Sequence, residues 1–458
     1  MNPSPQRHPP GPRGGLLLGC APALLEDPLA FVQQVTRDYP ELSSFRLGPQ
    51  RVYFATGTSA LEQLLSSEVK RFFGRDRAAL RAGQSFLGGG LLFLEGEPWA
   101  RARRMSAPAF HQDHLAKHAV EMRARTETLL GSWVDGEVRN VHVDMMGLML
   151  QIVSKTLFDA ELATEVQSIG VAMDLMLESF AQRALAPVSF PDWVPTPTNR
   201  RMRRGVRAID SVIYPLIQAR LRESRDHGDL LSKLALARDA DGSAFAATEI
   251  RNQLVTFFMA GHETSALTLT WALFLLAGHP EIQERLHAEL ALVLGGAPPS
   301  AGDIERLPFL DRVLKEALRL YPPVWLFARQ SGQGGALAGH PIPAGATVFA
   351  SPWARHRSPL LFPEPDTFKP DRWAGHLQKS LPRFAYMPFG GGPRACIGAS
   401  YARVAMSVVL ASTLQRFAVE PVPETDGSVD PTLTLRSKHG MRLRLRSRPE
   451  HGARAPGN

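Results

Sequence analysis

A glycine-rich loop that runs directly into an apolar helix constrains this chain more than any other feature. The loop spans Phe389 to Gly398, and the helix predicted after it runs from Ile397 to Phe417. Glycines let the backbone approach a flat object closely. Cys396, at the N-terminus of the helix, meets unpaired N–H groups and the positive end of the helix dipole, which favour a thiolate. A lone cysteine is more often an inert buried residue, but three glycines and Arg394 favour a functional thiolate here.

The composition is that of a soluble globular protein with a large core, since 44% of its 458 residues are hydrophobic and 21% are charged. No Ser/Gly linker or charged run divides the chain, so we predict one domain at residues 14–448. Flexible tails rich in Pro, Gly and Arg are expected at residues 1–13 and 449–458. The net charge of +8 rests on arginine and favours acidic partners or bound anions. With only Cys20 and Cys396, a disulfide framework is not indicated, and a reducing compartment is expected.

Two segments invite a membrane interpretation, and both fail. Leu16 to Leu18, before Cys20, is shorter than the roughly seven apolar residues of a signal sequence, and it follows a proline-rich run. Gln253 to Gly278 is long enough to span a bilayer, but His262 and Glu263 interrupt its centre. We therefore predict a core helix with a functional polar break, no membrane anchor, and a cytoplasmic location.

Hydrophobic periodicity predicts an α-rich α+β fold with a small β portion. Ser43–Leu47 and Arg51–Ala55 are expected to form a β-hairpin, and 432–446 a second strand pair; further strand signals lie in 324–350. The other clear helices are predicted at 114–134, 145–157, 206–222, 249–277, 280–294 and 309–321.

The cysteine loop resembles the signature Phe-x-x-Gly-x-Arg-x-Cys-x-Gly of the cytochrome P450 haem-thiolate monooxygenases. Phe389, Gly392, Arg394, Cys396 and Gly398 occupy every fixed position. The resemblance implies the cytochrome P450 fold, with haem b as the cofactor and Cys396 as the axial ligand of its iron. It also implies that Phe389, Arg394 and Gly398 contact the cofactor.

A second match is the Glu-x-x-Arg pattern of Glu316 and Arg319, which share one helix face. Alone, such a pair is usually a solvated ion pair worth a few tenths of a kcal/mol. The resemblance implies instead that both join Arg372, in the stretch Pro370–Trp373, in a buried network behind the haem. These three residues are therefore expected to support the structure rather than to catalyse.

The third match, Ala260 to Ser265, lies inside the longest apolar helix. A zinc-protease motif is excluded because its second histidine would fall at Ala266. An acid and a hydroxyl in an apolar helix cost stability unless they are used, and a neighbouring glycine can loosen the helix and open a groove. The resemblance implies that Thr264 hydrogen-bonds the activated oxygen and that Glu263 delivers protons through water. The alternative is a structural helix kink with a capped hydroxyl.

The two haem carboxylates need cationic or N–H partners. By resemblance, Trp99 and Arg103 lie on a helix that flanks the haem, and Arg329 and Arg394 bind its propionates. His356 belongs to the same region in relatives, and a structural role is equally expected for it.

The segments that line the family's substrate pocket are apolar here and contain no cluster of basic residues, which suits terpenoid, steroid-like, fatty-acyl or polyketide substrates alike. The predicted pocket residues are Phe86, Phe93, Phe180, Phe257, Ala260, Trp325, Phe327 and Leu433.

These features predict a monomeric monooxygenase that uses dioxygen to hydroxylate or epoxidise an apolar small molecule and does not bind nucleic acid. The chain ends about 60 residues after Cys396 and shows no flavin or iron–sulfur domain, so electrons are expected from a separate ferredoxin and its reductase. The docking patch expected for this donor comprises Arg101, Arg104, Lys379, Arg383 and Arg403. The equally supported alternative is that these are scattered, solvated charges on an arginine-rich protein. The alternatives are a peroxide-driven peroxygenase, which the Glu263–Thr264 pair disfavours, and a non-catalytic haem sensor, for which no output domain is visible.

Overall fold

The computed structural model describes residues 8–66, 73–74, 84, 88–158, 193–375 and 377–448. The predicted pocket residues Phe86 and Phe180 and the tail at 449–458 lie outside the described residues. Across the described ranges, no helix is both long enough and apolar enough to cross a lipid bilayer.

The α-helices of the described chain vary from one turn to more than eight. In chain order they are α1 (Ala21–Glu26), α2 (Pro28–Asp38), α3 (Thr58–Leu65), α4 (Gly96–Ser106), α5 (Gln112–Gly131), α6 (Val141–Phe158), α7 (Pro197–Glu223), α8 (Leu230–Leu236), α9 (Ala247–Ala277), α10 (Pro280–Leu294), α11 (Pro308–Leu320), α12 (Pro352–His356), α13 (Leu377–Ser380) and α14 (Ala399–Arg416).

The strands among the described residues are short and form four small sheets. They are β1 (Leu42–Leu47), β2 (Gln50–Ala55), β3 (Phe73–Gly74), β4 (Val138–Asn140), β5 (Phe327–Ser331), β6 (Gly335–Leu337), β7 (His340–Ile342), β8 (Thr347–Ala350), β9 (Phe417–Pro421), β10 (Val429–Pro431), β11 (Leu435–Ser437) and β12 (Arg442–Ser447).

The chain divides into two compact units. The first comprises Met1–Arg77, Lys315–Cys396 and Val429–Arg436. Its main sheet has the strand order β1-β2-β8-β5-β3, in which only β2 and β8 run parallel. Successive side chains of β2 point to opposite faces of the sheet. Tyr53 therefore packs in one apolar cluster and Phe54 in another. Both faces of this strand are therefore buried from Val52 to Ala55.

The second unit comprises Ala78–Leu314, Ile397–Ser428 and Ser437–Asn458. Its central element is α9, a 31-residue helix that packs chiefly on α6 and also contacts α14. The side chain of Glu249 turns back to accept the N–H of Ala246 at 2.7 Å, which fixes the start of α9. Strand β12 lies between β4 and β9 in a three-stranded antiparallel sheet.

The predicted helices and the first hairpin are confirmed, and their ends shift by at most four residues except at one helix start. The helix predicted from residue 206 begins at Pro197, because Thr196 caps it by accepting the N–H of Asn199 at 3.1 Å. The prediction that 432–446 forms a strand pair is wrong. Strand β11 pairs with β10 instead, and β12 pairs with β4 and β9.

Residues 8–13 differ from the flexible tail that their composition indicates. The carbonyl of Pro10 accepts the N–H of Ser44 at 3.1 Å, and that of Pro9 accepts the Ser44 hydroxyl at 2.8 Å. Proline lacks an N–H donor but keeps its carbonyl, so a proline-rich segment can still bond to the edge of β1.

Candidate active site

The cysteine loop is held by its own backbone. Cys396 N–H donates to the carbonyl of Phe389 at 2.9 Å, and Ala395 N–H donates to that of Gly392 at 3.0 Å. Cys396 is exposed, whereas Cys20 is buried. Helix α14 begins at Ala399, three residues after Cys396, so the cysteine precedes the helix rather than forming its first turn. The loop therefore presents the Cys396 side chain at the surface of the first unit.

Two glycines of this loop are required by close packing. Gly392 has φ +66°, and a side chain there would collide with the carbonyl oxygen of Leu65. A side chain at Gly391 would collide with the ring of Phe384. Both contacts lie within the first unit, and they fix the loop on one side while leaving Cys396 exposed on the other.

Behind the loop, the carboxylate of Glu316 is fully buried and accepts five hydrogen bonds. Arg319 forms a bidentate ion pair with it, in which Nε donates at 2.9 Å and Nη2 at 2.8 Å, and Arg372 Nε donates at 2.8 Å. Trp373 Nε1 donates at 2.8 Å, and the backbone N–H of Lys369 at 3.1 Å. The predicted network of Glu316, Arg319 and Arg372 is thus present, and Trp373 extends it.

The indole donor of Trp373 was not anticipated from the sequence, which indicated only an aromatic residue after Arg372. A phenylalanine in this position would leave part of the space empty and could not donate to Glu316. A buried ionised carboxylate needs several donors, and the indole supplies one of them.

His356 connects this network to the cysteine loop. Its backbone carbonyl accepts from Arg319 Nη1 at 2.9 Å, and its ring Nε2 accepts the N–H of Met387 at 2.9 Å. Burial, then the positive charges of Arg319 and Arg357, lowers the pKa of the imidazole to about 3. The ring is therefore neutral, and its Nε2 can accept the Met387 hydrogen bond. These contacts indicate a structural role for His356.

Arg329 lies in β5 with 9% of its surface exposed. Its guanidinium is 5.0 Å from the ring centre of Phe327, and Nη1 donates to the carbonyl of Ala328 at 3.0 Å.

Trp325, predicted to line the pocket, packs with Phe45 in the apolar cluster of the first unit that also holds Phe54. Leu433 is 39% exposed in the turn between β10 and β11. Arg394, in the loop, is half-buried.

In the second unit, the middle of α9 carries one exposed face. Ala260 is exposed and Gly261 and Thr264 are partly exposed, although the helix is otherwise almost entirely buried. Ala260 and Gly261 lie about one turn before Thr264 and about one turn after Phe257, so these residues share a face. The hydroxyl of Thr264 donates to the carbonyl of Ala260 at 2.7 Å.

Helix α9 is α-helical throughout its length, so Gly261 does not interrupt it. The threonine hydroxyls bond back to the carbonyl four residues earlier, and Thr268 does the same to Thr264 at 2.9 Å. Glu263 and His262 are both 3% exposed, and His262 Nδ1 lies 3.1 Å from the carbonyl oxygen of Phe258. The polar residues 262–264 thus do not interrupt the helix. They differ in exposure, since Thr264 is partly exposed and Glu263 is buried.

Helix α4 carries Trp99, which is 8% exposed, and Arg103, which is half-buried. Phe110, in the short helical turn that follows α4, packs edge-on against Phe257 with ring centres 5.2 Å apart. Phe93 is also buried, at 6% exposed. Phe110 was not identified from the sequence, because its ring carries no polar signal.

The predicted docking patch is not a set of free cations. Arg101 pairs with Glu249 at 2.9 Å, and Arg104 with Asp239 at 3.2 Å. Arg403 lies 3.3 Å from Asp311. Three of the five predicted members are therefore neutralised by carboxylates.

The residues present fit a haem by their chemistry. A thiol on a glycine-rich loop can ligate iron, and Arg329 and Arg394 in the same unit are cations suited to the two propionates.

Comparisons with known proteins place these features in context. A cytochrome P450 family model matches residues 9–441. The chain is 33% identical over 442 residues to pentalenene oxygenase of Streptomyces avermitilis, covering 96% of each. It is 34% identical over 411 residues to cyclooctat-9-en-7-ol 5-monooxygenase of Streptomyces melanosporofaciens, covering 89% of each. Among solved structures, retinoic-acid-bound cyanobacterial CYP120A1 is similar, with a TM-score of 0.85 and 25% identity over 96% of this chain and 100% of that one.

Proposed function

Since this chain belongs to the cytochrome P450 family and is an oxygen-incorporating oxidoreductase that uses haem b, we propose that it hydroxylates or epoxidises a terpenoid with electrons from a separate ferredoxin. The observation that carries the proposal is the exposed Cys396 at the end of a loop that Gly392 and Phe389 hold in place. When bound, the haem iron activates dioxygen and transfers one oxygen atom to the substrate.

We propose that Cys396 ligates the iron as a thiolate. Cys20 is unsuited to this role, because burial raises the pKa of its thiol and so favours the protonated form. Arg329 and Arg394 would hold the propionates by charge-assisted hydrogen bonds, together with Arg103 and Trp99. Phe389 and Gly398 complete the set of proposed cofactor contacts.

Thr264 is the proposed residue for proton handling. Its Oγ1 donates to Ala260, so an oxygen lone pair remains available to accept a bond from water. Rotation of the hydroxyl would redirect its donated hydrogen bond from the Ala260 carbonyl toward the exposed face of the helix. Glu263, about 100° around the helix from Thr264, would resupply the proton through water.

The substrate class is supported by two lines of argument. Phe93 and Phe257 are buried aromatic residues, and Phe257 packs against Phe110, which suits an apolar molecule without a charged group. The two Streptomyces relatives bear names that specify oxidation of an unsaturated hydrocarbon and of an unsaturated alcohol. Terpenoids are therefore favoured over steroid-like, fatty-acyl and polyketide substrates.

The ligand assignment is tested with matched cysteine variants. Cys396→Ser should abolish the strongly red-shifted absorption band of the reduced carbon monoxide complex, whereas Cys20→Ser should leave it intact. A normal band in the Cys396 variant would overturn the assignment. Product analysis with candidate terpenes, after ferredoxin-driven turnover of the wild type, then tests the substrate class. Exclusive conversion of fatty acids would contradict it.

A further inference from the structure

Residues 15–19 form a tight hairpin, here called the leucine hairpin. The N–H groups of Gly15 and Gly19 donate to each other's carbonyls, both at 3.0 Å. The three residues between them are Leu16, Leu17 and Leu18, which are 93%, 85% and 59% exposed. Three consecutive exposed leucines are unusual on a soluble protein, and clustered exposed apolar surface marks interaction sites.

The hairpin is fixed to the first unit. Cys20 N–H donates to the carbonyl of Arg46 at 2.7 Å, and Gly48 N–H donates to that of Leu18 at 2.9 Å. The guanidinium of Arg46 donates to the carbonyl of Leu16 at 3.3 Å. Gly19 has φ +59°, and a side chain there would collide with the Arg46 carbonyl. The backbone thus holds the leucines outward by specific contacts.

Arginines flank this apolar tip in the chain and in the neighbouring β1–β2 hairpin. Arg13 precedes the hairpin, and Arg46 faces Arg51 across the β1–β2 register. All three arginines are exposed, and none forms an ion pair with any residue in the described part of the chain. Residues 8–25 contain no aspartate or glutamate. The hairpin is therefore an apolar tip with a positive border.

We propose that the leucine hairpin docks the protein on an anionic lipid surface. Apolar side chains that enter the acyl boundary, bordered by arginines at the level of the headgroups, are what such a surface binds. A protein partner would be expected to offer a complementary acidic pocket, whereas a lipid surface needs only the combination of exposed leucine and positive charge. The proposal is independent of the proposed function, although apolar substrates partition into the same lipid phase.

The test uses the full-length haem-loaded protein and sedimentation with vesicles. Wild type should bind vesicles of phosphatidylglycerol mixed with phosphatidylcholine and bind pure phosphatidylcholine weakly. The double variant Leu16→Ser, Leu17→Ser should lose about tenfold or more of the affinity. Arg13→Gln with Arg51→Gln should reduce binding to the level seen with phosphatidylcholine, while leaving the Arg46 anchor in place.

Leu360→Ser and Leu292→Ser are the matched controls, since these leucines are 87% and 86% exposed at other places. They should bind like wild type, and the haem spectrum verifies that every variant is folded. No binding by the wild type, or binding that the hairpin variants leave unchanged, overturns the proposal. It is also overturned if the wild type forms a dimer that the leucine variant abolishes while neither protein binds vesicles, because a second copy then covers the hairpin.

Discussion

The ring Nε2 of His356 accepts the backbone N–H of Met387 at 2.9 Å, nine residues before the cysteine that we assign to iron. The contact requires a neutral ring, and the pKa of about 3 ensures it. In the unfolded chain a histidine has a pKa of about 6.5. As the pH falls below that value, the unfolded chain therefore takes up a proton that the folded protein excludes.

This difference predicts a loss of stability in acid. The free energy of unfolding should fall by about 1.4 kcal/mol per pH unit below pH ~6.5 through His356 alone. His356→Gln retains an acceptor for Met387 but does not titrate, so its unfolding in urea should depend less on pH than that of wild type. His111→Gln, at an exposed histidine, is the control and should follow wild type. Equal pH dependence in all three proteins would contradict the prediction.

Trp373→Phe should destabilise the protein by about 2 kcal/mol, because Glu316 loses one of its donors while remaining buried. Trp133→Phe is the matched control. Trp133 is 5% exposed, and its Nε1 has no hydrogen-bond partner among the described residues. This variant should lose less stability than Trp373→Phe, because it leaves a similar cavity but removes no hydrogen bond. Thermal unfolding of the haem-loaded proteins measures both, and equal losses would show that the indole bond contributes nothing.

Thr264→Ala should keep haem and substrate binding but divert electrons to hydrogen peroxide, since the hydroxyl is proposed to act after dioxygen binds. Thr270→Ala is matched to it, because Thr270 makes the same bond to the carbonyl four residues earlier, at 2.8 Å, yet is fully buried. Its ratio of product to consumed reductant should not change. If the ratio of product to consumed reductant is unchanged in both variants, Thr264 has no part in the mechanism. If hydrogen peroxide drives wild-type turnover better than the electron donor does, the peroxygenase alternative is favoured.

Lys379 and Arg383 are the members of the predicted docking patch that remain exposed without an ion pair in the described part of the chain. Charge reversal of both to glutamate should slow reduction by an acidic ferredoxin, most strongly at low salt, because the attraction is screened as salt rises. Arg104→Glu is the control, since Arg104 is already paired with Asp239 and Glu97. Stopped-flow reduction at several ionic strengths measures the effect, and rates independent of salt would exclude this patch.

Local patterns predicted much of the fold and the candidate site. The 3.6-residue period located α9 and α10, and the Glu-x-x-Arg spacing identified the pair Glu316 and Arg319, since both signals lie within one helix. Pairings between distant segments left no such signal. Strand β12 joins β4 across some 300 residues, which periodicity within β12 cannot indicate.

The same limit applies to charges. Arg104 was predicted to face a partner protein, yet its carboxylate Asp239 comes 135 residues later in the chain. Nor could the sequence show that the Trp373 indole points at Glu316 or that the His356 ring points at Met387. Side-chain direction at these positions depends on tertiary packing, which overrides what neighbouring residues indicate.

The carboxylate of Glu316 also restricts how the first unit can come apart. Its donors come from its own helix and from the segment 369–373, and Arg319 in turn binds carbonyls of His356 and Thr367. Releasing only the later segment would take three of the five donors from a carboxylate that stays buried. Partial opening is therefore disfavoured, and these segments should gain and lose their structure as one cooperative block that keeps the region behind the cysteine loop rigid until the block as a whole unfolds.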